Sequence, residues 1–449
     1  MHYSELVTLA IGVLTALISV ALWWREFVTP PTVSRAMQAR YRLSPRGFLM
    51  SARATPLPAK YAAWESLAAR LSELNRTASL RTEVDNLPII GVDAGELDDA
   101  ALRRARVILT CLVHSFVFGH LVPWRHLQQQ CPGGGQQYVP PSAGDNDGTN
   151  RAKTSPPLPE QLATPWRLVS SYLGMPLVLT ATDVDLWNAA PYASGADPPS
   201  TEWVPRFQQI FRMTATRSEH GFHAVPHAVN RALAPVVPAL LLAPSYVRER
   251  RVRQLTRVCT ELAAALAAAK SQLERIHAEV DVAEFYDFYR FLLGGWPNGG
   301  LALPASAAYG LDAATADHVG PSAGQTAAII LIDIILGIEH ADGLRAFQKS
   351  MRTYMPQGHT RLLVDLETEL ATHGTLRGMA TAPDAPRHLR SAYDGACSAL
   401  AALRTFHLGV ATHYLRKALK GTGGSDFRSL LNEGVASTRN AVGCARGLS

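Results

Sequence analysis

The chain has 449 residues, enough for two or three domains and a substantial core. Charged residues are 18% and hydrophobic residues 47%, which excludes a disordered or charge-rich tail protein. A net charge of +6 is too dilute to call for nucleic acid. Five cysteines without a CxxC pair exclude a disulfide scaffold and fit free thiols in a reducing compartment.

Residues 6–24 read LVTLAIGVLTALISVALWW, without a charge. As a helix they span roughly 28 Å, about one hydrocarbon core. Trp23 and Trp24 suit the interface, and Arg25, Arg35, Arg40, Arg42 and Arg46 follow. The positive-inside rule then predicts a single-pass anchor within residues 1–30 and a body facing the cytosol. Pro30 and Pro31 end that helix. Residues 60–76 carry apolar side chains at helical spacing, and Asp98 is placed to cap a longer buried helix over 98–120. Residues 131–165 are rich in Pro, Gly, Ser, Asn and Asp and read as a disordered insertion, its body at about 131–160. Helical patterns resume over 160–174 and 250–290. The apolar run 232–243 contains Pro235 and Pro238 and reads as core. Residues 323–338 form a mostly apolar helix with Asp333 as its only charge, and 391–419 a long helix. Only 87–92 and 176–180 look strand-like, and neither has a hairpin partner. The expected fold class is all-α.

The chain contains no HExxH, GxxxxGK[ST] or GxSxG. His220, His223 and His227 would approach a metal from one helix face, but Pro226 lies among them and no cysteine joins them. They read as pocket or surface histidines. The GTGGSD stretch at 421–426 suits an anion cradle or a flexible connection. Arg404 and His407 are three apart and share a helix face. That pair suits a haem, imidazole to iron and guanidinium to propionate, although spacing alone favours a satisfied core histidine over a ligand. His413 is a rival ligand by spacing. Asp333 needs an Arg or His from another helix. Arg290 ends the run FYDFYR, where an Arg beside Phe285 and Tyr286 suits either a carboxylate-bearing aromatic ligand or an ordinary ion pair.

Taken together, several stretches resemble the indoleamine 2,3-dioxygenase family, in that family's order. They are Tyr41-Arg42-Leu43 with Gly47-Phe48-Leu49, MPLVL at 175–179, FYDFYRFLLGGW at 285–296, SAGQT at 322–326 with Asp333 and LGI at 336–338, MRTYMPQGH at 351–359, LRTFH at 403–407, and the GTGGSD loop. The resemblance runs from about residue 41 to 431 and leaves the leading apolar span outside it.

It implies an all-helical body with a smaller amino-terminal domain (41–205) and a larger haem-binding domain (206–449). It further implies haem b, active as Fe2+, with O2 as co-substrate and an external electron donor to keep the iron ferrous. The implied reaction converts L-tryptophan or a related indoleamine to N-formylkynurenine, the first step of the kynurenine route. His407 matches the proximal ligand and Arg404 the propionate partner, whereas His359 matches a family histidine that does not ligate iron. Arg290 matches the substrate-carboxylate Arg, with Phe285 and Tyr286 as the aromatic wall and Phe222 as a distal-pocket aromatic. Ser322, Ala323 and Gly324 match the loop over the distal haem face, and Thr422 the loop residue near the substrate ammonium group. Three positions depart from the pattern. Thr180 stands where an aromatic is common, Asp183 falls near a position that is usually small or neutral, and Pro226 stands where Ser is common. They keep open an alternative, a haem-binding sensor with little turnover. A third reading is a membrane-anchored helical interaction protein without haem.

Overall fold

The computed structural model describes residues 32–45, 47–50, 55–93, 95–119, 122, 157–190, 208–296, 301, 303–304, 318–415, 418, 421 and 424–442. The expected anchor at 6–24, the insertion over 131–156, and Thr422 lie outside the described residues. The fold is helical. Among the described residues its only sheet is a two-residue antiparallel ladder, β1 (Ala189–Ala190) against β2 (Gln208–Gln209). Neither 87–92 nor 176–180 is a strand, which corrects the expectation for both.

The first half contributes α1 (Arg35–Tyr41), α2 (Ala62–Ala69), α3 (Leu71–Arg76), α4 (Leu80–Asp85), α5 (Asp99–Phe118) and α6 (Glu160–Leu173). Asp98 caps α5 by accepting from the Ala101 N–H, as its position predicts. α6 ends on Gly174 at φ +63, a left-handed cap that suits glycine. The second half contributes α7 (Arg217–Leu233), α8 (Val237–Arg248), α9 (Val252–Glu274), α10 (Ile276–Glu279) and α11 (Val282–Asp287). It continues with α12 (Ala327–Leu336), α13 (Asp342–Met351), α14 (Gln357–His373), α15 (Leu376–Thr381), α16 (Arg387–Tyr414) and α17 (Phe427–Ala441).

α16 lies along α9 on one side and α17 on the other. Two expected helix boundaries move. α16 starts directly after Pro386 and ends at Tyr414, and α12 starts at Ala327 rather than 323. Residues Ala323–Gln325 instead form one 3-10 turn, in which Ser322 Oγ accepts from the Gly324 N–H. Buried apolar residues from Val33 to Ala441 form one continuous core. Among the described residues one run, Arg217–Arg248, is apolar and long enough to cross a membrane, but 72% of its apolar window is buried. The 232–243 run is therefore core, as expected. Cys111, Cys259 and Cys397 are free thiols inside that core.

Candidate functional site

The site is organised around the segment after α6, whose backbone is held by side chains rather than by a strand. The Leu179 N–H donates to His114 Nε2 (2.8 Å), and His114 Nδ1 donates to the Leu292 carbonyl (3.1 Å). That pairing fixes the neutral imidazole, and burial pushes the His114 pKa down to about 3. Trp296 Nε1 donates to the Leu177 carbonyl (2.5 Å), and Arg106 Nη2 to the Val178 carbonyl (2.6 Å). The Ala181 N–H donates to Gln325 Oε1 (2.9 Å), while Gln325 Nε2 donates to the Gly320 carbonyl (2.9 Å). Residues 177–181, 292–296 and 320–325 are thereby tied together.

Asp183 is fully buried but paired. Its carboxylate oxygens lie 3.1 and 3.2 Å from Arg106 and accept from the Thr180 N–H (2.9 Å) and hydroxyl (3.0 Å). Arg106 also donates to Ser170 Oγ (2.5 Å). The Thr180 hydroxyl is therefore directed at this buried pair. Asp183 carries a neutralised charge, not a free one beside the pocket.

The aromatic residues do assemble. The ring of Phe222, on α7, stacks on Phe285 of α11 at 4.5 Å and meets Tyr289 edge-on at 6.1 Å. Asp281 caps α11 through the Glu284 N–H (2.8 Å). The 3-10 turn Tyr289–Leu293 then redirects the chain, and the Arg290 guanidinium lies over the Tyr286 ring at 5.1 Å. Ser322 and Gly324 are half-buried and Ala323 is exposed, so this loop presents its small residues outward. Gly424, two residues after Thr422, approaches the same region. Gly424 sits at φ +74, and a Cβ there would lie 2.8 Å from Val319 Cγ1.

On α16, Arg404, His407 and Tyr414 share one face. Arg404 Nη2 donates to both oxygens of Asp333 (2.8 and 2.6 Å), and its Nη1 donates to the Thr438 hydroxyl. His340 Nε2 and Gln348 Nε2 also reach Asp333, each at 2.9 Å. Burial pushes the Asp333 carboxyl up, but Arg404 and His340 outweigh it and hold it below the usual range. The partner expected from another helix is thus Arg404, and His340, in the loop just after α12, joins it. Nearly three turns further on, the Tyr414 ring meets Phe285 at 6.1 Å.

His407 lies between these two contacts. It is half-buried and makes no hydrogen bond to any described residue. Burial and the Arg404 charge both push its pKa down, which keeps a ring nitrogen lone pair available. A half-buried neutral imidazole with no hydrogen-bond partner, one turn from an Arg held in place by Asp333, fits a haem.

The other histidines are placed differently. Six residues separate His413 from His407, about 240° around the helix, so they do not share a face. His413 is exposed in a cleft of about 960 Å³ that α16 forms with Lys270, His277 and Arg439, with its ring 5.4 Å from His277. His359 is buried on α14, edge-on to Phe48 at 4.9 Å. His223 bonds Asp185 and Tyr289, and His227 Nδ1 bonds the Asp185 carbonyl (2.9 Å). No group of three or more His, Cys, Asp or Glu among the described residues could hold a metal ion.

The tying residues His114, Arg106, Gln325, Asp185 and Tyr289 are not singled out by the sequence. The signal that would find the first two is a His and an Arg inside the apolar 98–120 helix, since neither is buried without a partner.

Residues 37–418 match the model of the family described as indoleamine 2,3-dioxygenase. Among curated relatives, a 6-hydroxytryptophan 2,3-dioxygenase of Fusarium equiseti is 30% identical over 89% of this chain and 90% of its own length. Indoleamine 2,3-dioxygenase 2 of Homo sapiens is 26% identical over 82% of this chain and 81% of its own length. A myoglobin of Haliotis diversicolor is 28% identical over 86% of this chain and 93% of its own length. The chain belongs to the indoleamine 2,3-dioxygenase family.

Proposed function

We propose that the protein is a haem-dependent dioxygenase that inserts both atoms of O2 across the indole C2–C3 bond of L-tryptophan or a ring-substituted relative, giving the corresponding N-formylkynurenine. The observation that carries this is His407, an imidazole with no hydrogen-bond partner among the described residues, on the α16 face between Arg404 and Tyr414. In this reading His407 would hold the iron and Arg404 a propionate, with Ser322, Ala323 and Gly324 over the other face. When bound, haem b in its ferrous form supplies the iron chemistry that activates O2, and an external donor keeps it ferrous.

The chain's own residues bind and orient. Arg290 takes the substrate carboxylate, and Phe222, Phe285 and Tyr286 form the slot for the ring. Thr180 borders the slot, and Thr422 in the 421–426 loop receives the ammonium group. Residues 41–205 form the smaller domain and 206–449 the larger. The 19 uncharged residues at 6–24 and the Arg residues after them support a membrane anchor with the body on the cytosolic side.

The test is a haem spectrum and a product assay. Ferrous protein given O2 and tryptophan, or 6-hydroxytryptophan, should yield the ring-opened product. His407→Ala should lose the haem absorption, while His413→Ala and His359→Ala keep it. If His407→Ala keeps stoichiometric, normally ligated haem, the ligand assignment is wrong. The Haliotis diversicolor relative named myoglobin favours a second reading, a haem protein with little turnover. Tight haem with no product from either substrate would select it.

A further inference from the structure

One buried polar cluster next to the pocket has no part in the reading above. Asp185 comes from the turn Thr182–Trp187, His223 from α7, and Tyr289 from the 3-10 turn after α11. His223 Nδ1 lies 2.8 Å from Asp185 Oδ1, and His223 Nε2 is hydrogen-bonded to the Tyr289 hydroxyl. The His223 side chain is 0% exposed, Asp185 15%. Polar groups so deep are tolerated because each satisfies the next. Both nitrogens of His223 are occupied by these two partners, so His223 itself has none left for a substrate.

Its members are instead neighbours of the residues placed on substrate. Phe222 precedes His223, and its ring meets Tyr289 as well as Phe285. Arg290 follows Tyr289. The turn carrying Asp185 begins directly after the Thr180–Ala181 step, and Asp183 on the same turn anchors Thr180. Two hydrogen bonds therefore join the turn that follows Thr180 to the elements that carry Phe222 and Arg290.

We propose that the Asp185–His223–Tyr289 chain is a positioning device that sets the spacing between the Arg290 clamp and the Phe222–Phe285 slot, and through it the affinity for substrate. This rests on Arg290 and Phe222 being substrate contacts. Loosening it weakens binding held in common by ground state and transition state, so KM moves more than kcat. A merely structural role would lower folded yield and melting temperature and leave the affinity of the folded, haem-loaded fraction unchanged.

The experiment uses full-length haem-loaded protein. The tryptophan Kd is read from the substrate-induced change in the haem spectrum, beside KM and kcat. Tyr289→Phe keeps the ring and removes one oxygen. It should raise Kd and KM about tenfold with kcat changed by less than about threefold, the scale of one lost buried hydrogen bond. His223→Phe should behave alike. His223→Gln, whose amide keeps an acceptor and a donor, should restore most of the affinity. Asp185→Asn combined with Tyr289→Phe should fall short of the sum of the two. Wild-type Kd and KM in folded Tyr289→Phe would overturn the proposal, and that variant carries the test if His223→Phe does not fold. Arg290→Ala separates the two failures. If it weakens binding while Tyr289→Phe does not, the positioning role alone falls. If it leaves Kd unchanged, the clamp falls and this proposal with it.

Discussion

Single charged residues inside this protein have specific partners, and those partners decide what each residue does. A buried carboxylate such as Asp333 has to find a cation, and that necessity was legible from its apolar surroundings; which cation was not, because Arg404 lies 71 residues away. Asp183 was harder still, because the sequence around it gives no sign that Arg106 reaches it from α5. The pair is completely buried, at 0% exposure for both side chains. Arg106 is also the donor to Ser170 and to the Val178 carbonyl. Removing the cation leaves an uncompensated buried charge, so Arg106→Ala should destabilise by about 3–5 kcal/mol. The double variant Arg106→Met, Asp183→Leu should recover a large part of that loss. Urea unfolding of the two proteins checks this, and equal midpoints for Arg106→Ala and wild type would contradict it.

Elements were legible where their determinants are local. The Asp98 cap, the Gly174 stop and the proline break between α7 and α8 all act within one or two turns. The misread element is the one held from a distance. Residues 176–180 look like a strand because they form a short, continuous apolar run, yet their backbone groups are taken by Trp296, Arg106 and His114. Side-chain partners 65 to 119 residues away leave no local pattern. The same holds for the Asp185–His223–Tyr289 chain, each member of which looks ordinary in its own stretch. Helix packing adds one further constraint. At Gly221 in α7, an added Cβ would lie 2.4 Å from the Glu279 carbonyl of α10. Ala is the better helix former by about 1 kcal/mol. Forcing two backbones apart costs about 1–3 kcal/mol or more. Steric conflict with a rigid carbonyl should win, so Gly221→Ala should lower the melting temperature and weaken substrate binding through the adjacent Phe222. An unchanged or higher melting temperature would show that the two helices separate without loss.

At the scale of the whole molecule, the low charge content noted first reflects a core built around buried, neutral polar groups as well as apolar ones. Burial pushes His114 and His359 down to about 3 and His227 down to about 4, from an ordinary 6.5. A histidine whose folded pKa lies below its unfolded value stabilises fully above pH 6.5, and that stability is lost as pH falls toward the folded value. In that window the unfolded chain takes up a proton that the folded chain refuses. Each such histidine costs about 1.4 kcal/mol per pH unit, so three together cost about 4 kcal/mol per unit. Asp333 works in a different window. Its carboxyl is held low, so its contribution is present above the ordinary carboxylate value of 3.8 and fades only below it. The steep loss between pH 6.5 and about 4.5 is therefore a histidine property. Unfolding free energies from urea titrations across that range should fall with about three protons' worth from these histidines, to which His407, also pushed down by burial and Arg404, adds. His359→Gln should remove about one proton from the slope, because His359 is buried on α14 against Phe48 and has neither of the other two imidazoles as a partner. A wild-type slope below one proton, or an unchanged slope in His359→Gln, would mean that these imidazoles are hydrated in the folded protein and that its core opens before it unfolds.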